Sequence, residues 1–281
     1  MEVSEFRRKH PGEISLLTYN IVGGMKAKQV IEDILSLPEK PEIICFQEYP
    51  TAASNTLFKK AFEDYHFIEK PLWQMSIGPV GLATLIQKES SAVTTTQTII
   101  LPASKGNPIE KLFLLLAAGK SVPIKRASLI TRVRLGRREL LIANTHLSWE
   151  GTAAHKINQL RSIFNEPIVK EFKGPTIICG DFNLISKSPG GRRIQSETFK
   201  HGFNDLSLRC AATYNFLNLT SFPEDRTIPL RRLLTFIPRK LRMRIGVKVD
   251  YIFGRLIKTS FSRSLPFDGS DHYPLLAYLE V

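Results

Sequence analysis

Cysteine is scarce in this chain: three residues in 281, at positions 45, 179 and 210, with no metal-type spacing. The shortage excludes a thiolate-built zinc site and a disulfide-stapled scaffold. Cys45 and Cys179 lie inside apolar runs, so reduced core thiols in a cytoplasmic, reducing compartment are expected. No uninterrupted apolar stretch reaches the length of a bilayer span. Residues 1–12 are short and charged, unlike a secretory leader. Acidic side chains are also few beside basic ones, 26 against 39, giving a net charge of +13. Such a surface favours polyanionic partners, nucleic acid or an anionic membrane surface. The imbalance is local: residues 226–248 hold Arg226, Arg231, Arg232, Arg239, Lys240, Arg242, Arg244 and Lys248 and no acidic residue, which leaves +5 for the rest.

What is present is a soluble-type composition, 43% apolar and 23% charged, with no repeat, low-complexity tract or linker. A single domain over 1–281 is expected, with 1–12 a flexible N-terminus and 102–123 and 226–248 as insertions or rim loops. Residues 14–20 read as a strand. Ala27, Val30, Ile31, Ile34 and Leu35 follow at helical spacing, and so do Ala53, Leu57, Phe58, Ala61 and Phe62. Strands are expected at 43–46, 65–70, 80–87, 92–100, 127–135, 138–145, 175–179, 248–253, 257–263 and 273–279. Thr152 can cap a helix carrying Ile157, Leu160, Phe164 and Ile168. Helices interspersed with all-apolar strands and antiparallel hairpins predict an α/β sandwich built on packed mixed sheets. The runs 112–118 and 227–246 read either as ordinary packed helices or as a lid or membrane-facing helix.

Four apolar runs adjoin compact polar clusters: Gln47-Glu48, Asn144-Thr145-His146, Gly180-Asp181-Phe182-Asn183 and Ser270-Asp271-His272. Catalytic groups commonly sit where a rigid strand hands over to a loop. Carboxylates, amides and imidazoles at four such places point to one assembled enzyme site. Glu48 offers a hard oxygen ligand of the kind magnesium takes. His272 needs an orienting carboxylate, because imidazole function depends on which nitrogen holds the proton. His10, His66, His155 and His201 stand alone and read as structural.

Six motifs then occur in one order: Leu17-Thr18-Tyr19-Asn20, Phe46-Gln47-Glu48, Asn144-Thr145-His146-Leu147, Gly180-Asp181-Phe182-Asn183, Val249-Asp250-Tyr251 and Ser270-Asp271-His272-Tyr273-Pro274. In this the chain resembles the endonuclease/exonuclease/phosphatase superfamily over residues 16–281. The resemblance implies a four-layer α/β sandwich that cleaves phosphate esters with a divalent metal, Mg2+, with Mn2+ as a substitute. It implies Glu48 as the main ligand, Asn20 beside it and Asp271 on the metal or its water shell. Asp181 matches the residue that orients or deprotonates the attacking water. Asn183 would donate to a phosphoryl oxygen and hold Asp181. Asp250 occupies the position that orients His272, which would contact the scissile phosphate. His146 would contact the phosphate or leaving group, and Arg126 and Asn20 the phosphate. Lys125 reads as surface.

These motifs determine the reaction more closely than the substrate. Positive charge favours an extended polyanion, so the first expectation is a nuclease acting on DNA, as a monomer with no protein partner indicated. The alternative is a sphingomyelinase-like phospholipid phosphodiesterase or a phosphoinositide phosphatase, on the basic and apolar character of 230–245. A non-catalytic nucleic-acid-binding module is disfavoured by the complete motif set.

Overall fold

In a computed structural model, the structure describes residues 9–51, 55–75, 78–89, 91–104, 125–136, 138–215 and 246–281. Two six-stranded mixed sheets form its centre. The first has the order β13-β14-β1-β2-β4-β3, with β1 (Glu13–Asn20), β2 (Ile43–Pro50), β3 (Tyr65–Met75), β4 (Gly78–Gln87), β13 (Lys258–Ser264) and β14 (Leu275–Glu280). The second runs β5-β6-β7-β8-β12-β9, with β5 (Ser91–Ile100), β6 (Ala127–Leu135), β7 (Arg138–His146), β8 (Thr176–Asp181), β9 (Asn204–Asp205) and β12 (Asp250–Arg255). Each sheet has one parallel pair near its middle, β1 with β2 and β7 with β8. A separate ribbon pairs β10 (Tyr214–Asn215) with β11 (Gly246–Val247).

Each parallel pair needs a crossover, and a helix supplies it. α1 (Ala27–Leu35) links β1 to β2 and buries Val30, Ile31 and Ile34. α2 (Thr56–Ala61) buries Phe58 beside it, against Phe46 and Tyr49. Between β7 and β8 stand α3 (Ala153–Asn165) and α4 (Pro167–Lys170). Thr152 caps α3 by accepting the His155 amide, as its sequence position suggests. The helix does not continue to Ile168. Pro167 lacks an amide hydrogen and starts a new turn instead. α5 (Pro189–Lys200) is absent from the sequence expectations, because Gly190-Gly191 hides it. Ser188 caps it, and Gly191 is required there, since a Cβ would lie 2.2 Å from the Ile185 carbonyl oxygen.

Three apolar layers hold this together. One lies between α1, α2 and the first sheet, one between α3–α5 and the second sheet, and one between the sheets. The expected sandwich of two mixed sheets flanked by helices is therefore observed. Burying each such Leu, Ile or Phe contributes about 2 kcal/mol. Cys45 and Cys179 are free and face the inter-sheet layer, and Cys210 is also free and buried. The inter-sheet layer also has a polar clamp. Asn144 of β7 donates to the carbonyls of Phe46 (3.0 Å) and Ala83 (2.9 Å) in the opposite sheet. It accepts in return from Gln47 Nε2 at 2.8 Å. Both amides are fully buried, so Gln47 and Asn144 hold the sheets in alignment rather than face a ligand.

Of the N-terminal stretch expected to be flexible, residues 9–12 are held in place: Lys9 pairs with Glu42 at 2.8 Å and the His10 amide donates to Glu13. Residues 1–8, the apolar run 112–118 and residues 226–245 of the basic segment lie outside the described residues. Lys248, at the end of that segment, is not the exposed charge expected of it. It is 3% exposed and its ammonium bonds Asp205 at 3.0 Å and the Ser207 carbonyl at 2.6 Å. A lysine so paired braces the start of β12 and is not available to a polyanion. Among the described residues, no helix is long and apolar enough to cross a membrane.

Candidate active site

Strand register builds the polar cluster. His146 ends β7 and is the parallel partner of Asp181, which ends β8. Asp250 begins β12 and is the antiparallel partner of the same Asp181. Three neighbouring strands thus place an imidazole, a carboxylate and a second carboxylate side by side. Gly180 makes the close approach possible: its φ is +132°, and a Cβ there would sit 1.9 Å from the Thr145 carbonyl oxygen. Asn183 turns the chain away at φ 51° and donates its amide to Asp181 Oδ1 at 2.8 Å. Its side-chain nitrogen donates to the Leu147 carbonyl.

The first sheet meets this cluster from the other side. Asn20, the last residue of β1, donates from Nδ2 to Asp181 Oδ2 at 3.1 Å. Its Oδ1 accepts the Val22 amide, so the side chain is pinned between the sheets. The loop before β14 is tied to the same strand end. Ser270 Oγ donates to the Asn20 carbonyl at 2.7 Å and accepts the His272 amide at 3.2 Å. His272 Nδ1 lies 2.9 Å from Asp250 Oδ2, and Nε2 lies 3.8 Å from Asp181 Oδ2. His146 Nε2 stands 3.4 Å from that same oxygen. Thr213 Oγ1 accepts the amides of Val249 and Asp250, fixing the orienting carboxylate.

Glu48 reaches the cluster through a β-bulge. The β2–β4 register slips between Gln47 and Tyr49, and Glu48 takes the left-handed φ of 52°. A second bulge, in β3 between Pro71 and Trp73, lies opposite the same residue of β4, Gly81. A Cβ on Gly81 would lie 1.8 Å from the Lys70 carbonyl oxygen. Trp73 emerges from that bulge beside the site. Its ring is 5.8 Å from the His146 ring and 5.0 Å from the Arg126 guanidinium carbon. Arg126 Nη1 in turn lies 3.0 and 2.9 Å from the two His146 ring nitrogens.

Burial and neighbouring charge set the protonation states. Burial lifts Glu48 to about 7; Asp271 and Asp181 add to the rise and Arg126 and His272 oppose it. Burial lifts Asp181 to about 6, against the pull of His272 and the donors Asn183 and Asn20. Burial also raises Asp271. Burial opposes charge on His272, but Asp250, Asp181 and Asp271 outweigh it and hold the imidazolium up to about 10. His146 moves the other way: burial, Arg126 and His272 keep it neutral.

All nine residues singled out in the sequence, Asn20, Glu48, Arg126, His146, Asp181, Asn183, Asp250, Asp271 and His272, therefore converge. Arg126 is 3% exposed and faces His146, not the open rim, while Lys125 beside it is exposed. Trp73 and Tyr214 were missed. Tyr214 bridges to His272 through its backbone and packs its ring edge-on at 4.8 Å. Neither carries a local motif, and only the bulge and the ribbon bring them here.

Asp181, Asp250 and His272 offer ligand atoms within 4.8 Å of one another. Their bonding is already internal, since His272 Nδ1 meets Asp250 and Asp181 accepts from Asn20 and Asn183. Glu48 differs. Among the described residues its carboxylate has no hydrogen bond, and its one ion pair is with His146 at a long 4.0 Å. A carboxylate beside Asp271 and Asp181 without a donor suits a hard divalent cation.

The family model described as "Endonuclease/Exonuclease/phosphatase family" matches residues 17–272. A mannosyl-6-phosphatase from Bacteroides thetaiotaomicron shares the fold at a TM-score of 0.66 and 14% identity, over 95% of this chain and 99% of that one. D. rerio TDP2 complexed with single strand DNA product superposes at 0.63 and 15%, over 96% and 99%. The human Nocturnin catalytic domain with bound sulfate anion does so at 0.62 and 17%, over 97% and 96%. At such identities the likeness is one of fold. No curated protein matches by sequence.

Proposed function

Because the chain belongs to the endonuclease/exonuclease/phosphatase family of hydrolytic phosphoesterases, we propose that it is a divalent-metal-dependent phosphodiesterase acting on nucleic acid, DNA first. The observation that carries the chemistry is the row His146–Asp181–His272–Asp250, with the donor-free Glu48 carboxylate beside it. Glu48, with Asp271 next to it, would hold the metal. A bound Mg2+ would supply charge for the phosphoryl oxygens and an acidified water.

The chain's own residues do the rest. Asp181, ionised above about pH 6 and held by Asn183 and Asn20, orients a water and takes its proton. His272, kept charged by Asp250, donates from Nε2 to a phosphoryl oxygen as charge builds there. Neutral His146, with Nδ1 accepting from Arg126, offers its Nε2–H to the phosphate or the leaving oxygen.

The nucleic-acid reading is supported by charge. Seven of the eight basic residues of 226–248 remain once Lys248 is set aside, and they lie between Asn215 and Gly246, which pair next to the His272 loop. The testing experiment is a magnesium-dependent panel of plasmid DNA, abasic duplex, RNA, phosphoinositides and sphingomyelin. Turnover of DNA above the others is expected. Turnover of a lipid or inositol phosphate alone sinks the nuclease reading, and full activity in chelator sinks the metal.

A further inference from the structure

Trp73 and Tyr214 come from different elements of the fold to the two ends of the catalytic row. Trp73 stands on β3, the edge strand of the first sheet, and meets His146. Tyr214 stands on the β10–β11 ribbon and meets His272. The two imidazoles are joined through Asp181 Oδ2, at 3.4 and 3.8 Å. Both aromatic side chains are half-buried, and among the described residues neither belongs to the apolar cores.

Their placement has a backbone origin. In β3 the extra residue Leu72 shifts the phase of alternation, so Trp73 rather than Leu72 stands opposite Val80. Leu72 packs on the small cluster of Leu82, Ala127 and Leu129. Trp73 instead meets Arg126 and His146. A large, half-buried aromatic ring beside a charged site fits a ligand with a flat apolar face next to a phosphate.

We propose that the site takes a single strand of nucleic acid, with the nucleosides on either side of the scissile phosphate stacked on Trp73 and Tyr214. This rests on the nuclease reading above. Base–aromatic stacking tolerates any sequence, because every base has a π-face. A base paired within a duplex cannot offer that face, so the arrangement selects an unpaired strand. The row places one phosphate at Asp181 and one ring at each end, which matches the alternation of base and phosphate along a strand.

The test compares magnesium-supported hydrolysis of three substrates: a single-stranded oligonucleotide, the same sequence as a duplex, and an equally long strand built of abasic tetrahydrofuran units. The intact strand should show a KM roughly tenfold below the other two. Trp73→Ala and Tyr214→Leu should each raise KM on the intact strand roughly tenfold and leave the abasic strand nearly unchanged. Trp73→Phe should restore most of the loss. Equal losses on intact and abasic strands would show that Trp73 only holds Arg126, and would overturn the proposal, as would a preference for duplex. An enzyme that cleaves none of the three yet hydrolyses another phosphoester of the panel refutes the nuclease reading itself, a distinguishable failure.

Discussion

The two sheets bring unlike halves to one site. The second sheet contributes His146, Asp181 and Asp250, and His272 from the loop before β14 locks onto Asp250; their polar atoms are already engaged, Asp181 accepting from Asn183 and Asn20. The first contributes Glu48, whose carboxylate has no hydrogen bond among the described residues and sits in a bulge at left-handed φ. Satisfied polar groups hold their geometry whether or not a ligand is present. A half-buried carboxylate with no donor is costly to ionise, and a bound cation would offset that cost. One half is therefore prepared for proton handling, and the other is left incomplete in the way a cation site is.

The sharpest way to break this contrast is to remove the prepared half. Asp181→Asn and His272→Ala should each lower turnover at saturating magnesium by at least roughly a hundredfold, with thermal melts close to wild type. A folded variant that keeps near-normal turnover takes that residue out of the mechanism, and raising the metal concentration should rescue neither.

The incomplete half should behave differently. Glu48→Gln should shift the magnesium needed for half-maximal activity upward by roughly tenfold or more, since the hard-oxygen charge is lost. It should also change stability in a pH-dependent sense. Glu48 binds its proton more tightly folded, at about 7, than in an unfolded chain near 4.5. Its ionisation therefore costs the metal-free fold stability as pH rises from about 4.5 to 7, by up to about 3 kcal/mol. Metal-free Glu48→Gln should melt higher relative to wild type at pH 8 than at pH 5, and magnesium should shrink the gap. A gap that is the same at both pH values and insensitive to magnesium contradicts the assignment.

The smallest effect is expected outside both halves. Neutralising Arg239, Lys240, Arg242 and Arg244 should flatten the salt dependence of DNA binding by up to about one unit per lost phosphate contact. Turnover at saturating substrate should change little. If the variant instead loses binding to anionic vesicles and keeps DNA binding, the lipid reading gains. A variant like wild type on both makes the segment an ordinary solvated surface.

The sequence makes the prepared half easy to read, because His146, Asp181 and Asp250 end or begin apolar strands and ladder register aligns them. Glu48 was visible by type, but the bulge that aims it was not, since a left-handed φ at a glutamate leaves no mark in composition. The same holds for Trp73, whose direction depends on one extra residue in β3. Gln47 and Asn144 looked like site amides from their neighbours. Only the packing of one sheet on the other shows that they bond across it. Lys248 was counted by charge, while its partner Asp205 is 43 positions away in sequence. The helix at Pro189–Lys200 was hidden because glycine propensity was read without the close contact that demands Gly191.

The amide clamp of Gln47 and Asn144 joins the two sheets across their interface. Neither sheet owns a complete set of reacting groups, so catalytic competence is a property of their alignment and not of either layer. Asn144 and Gln47 lie one to two residues from His146 and Glu48, which makes the clamp a datum from which both half-sites are measured. A slip of one sheet over the other would keep every helix and strand and still separate Asn20 from Asp181. Under gradual heating or denaturant, activity is therefore the first property to fail, ahead of secondary structure, and it should return only when the two layers lock in register again.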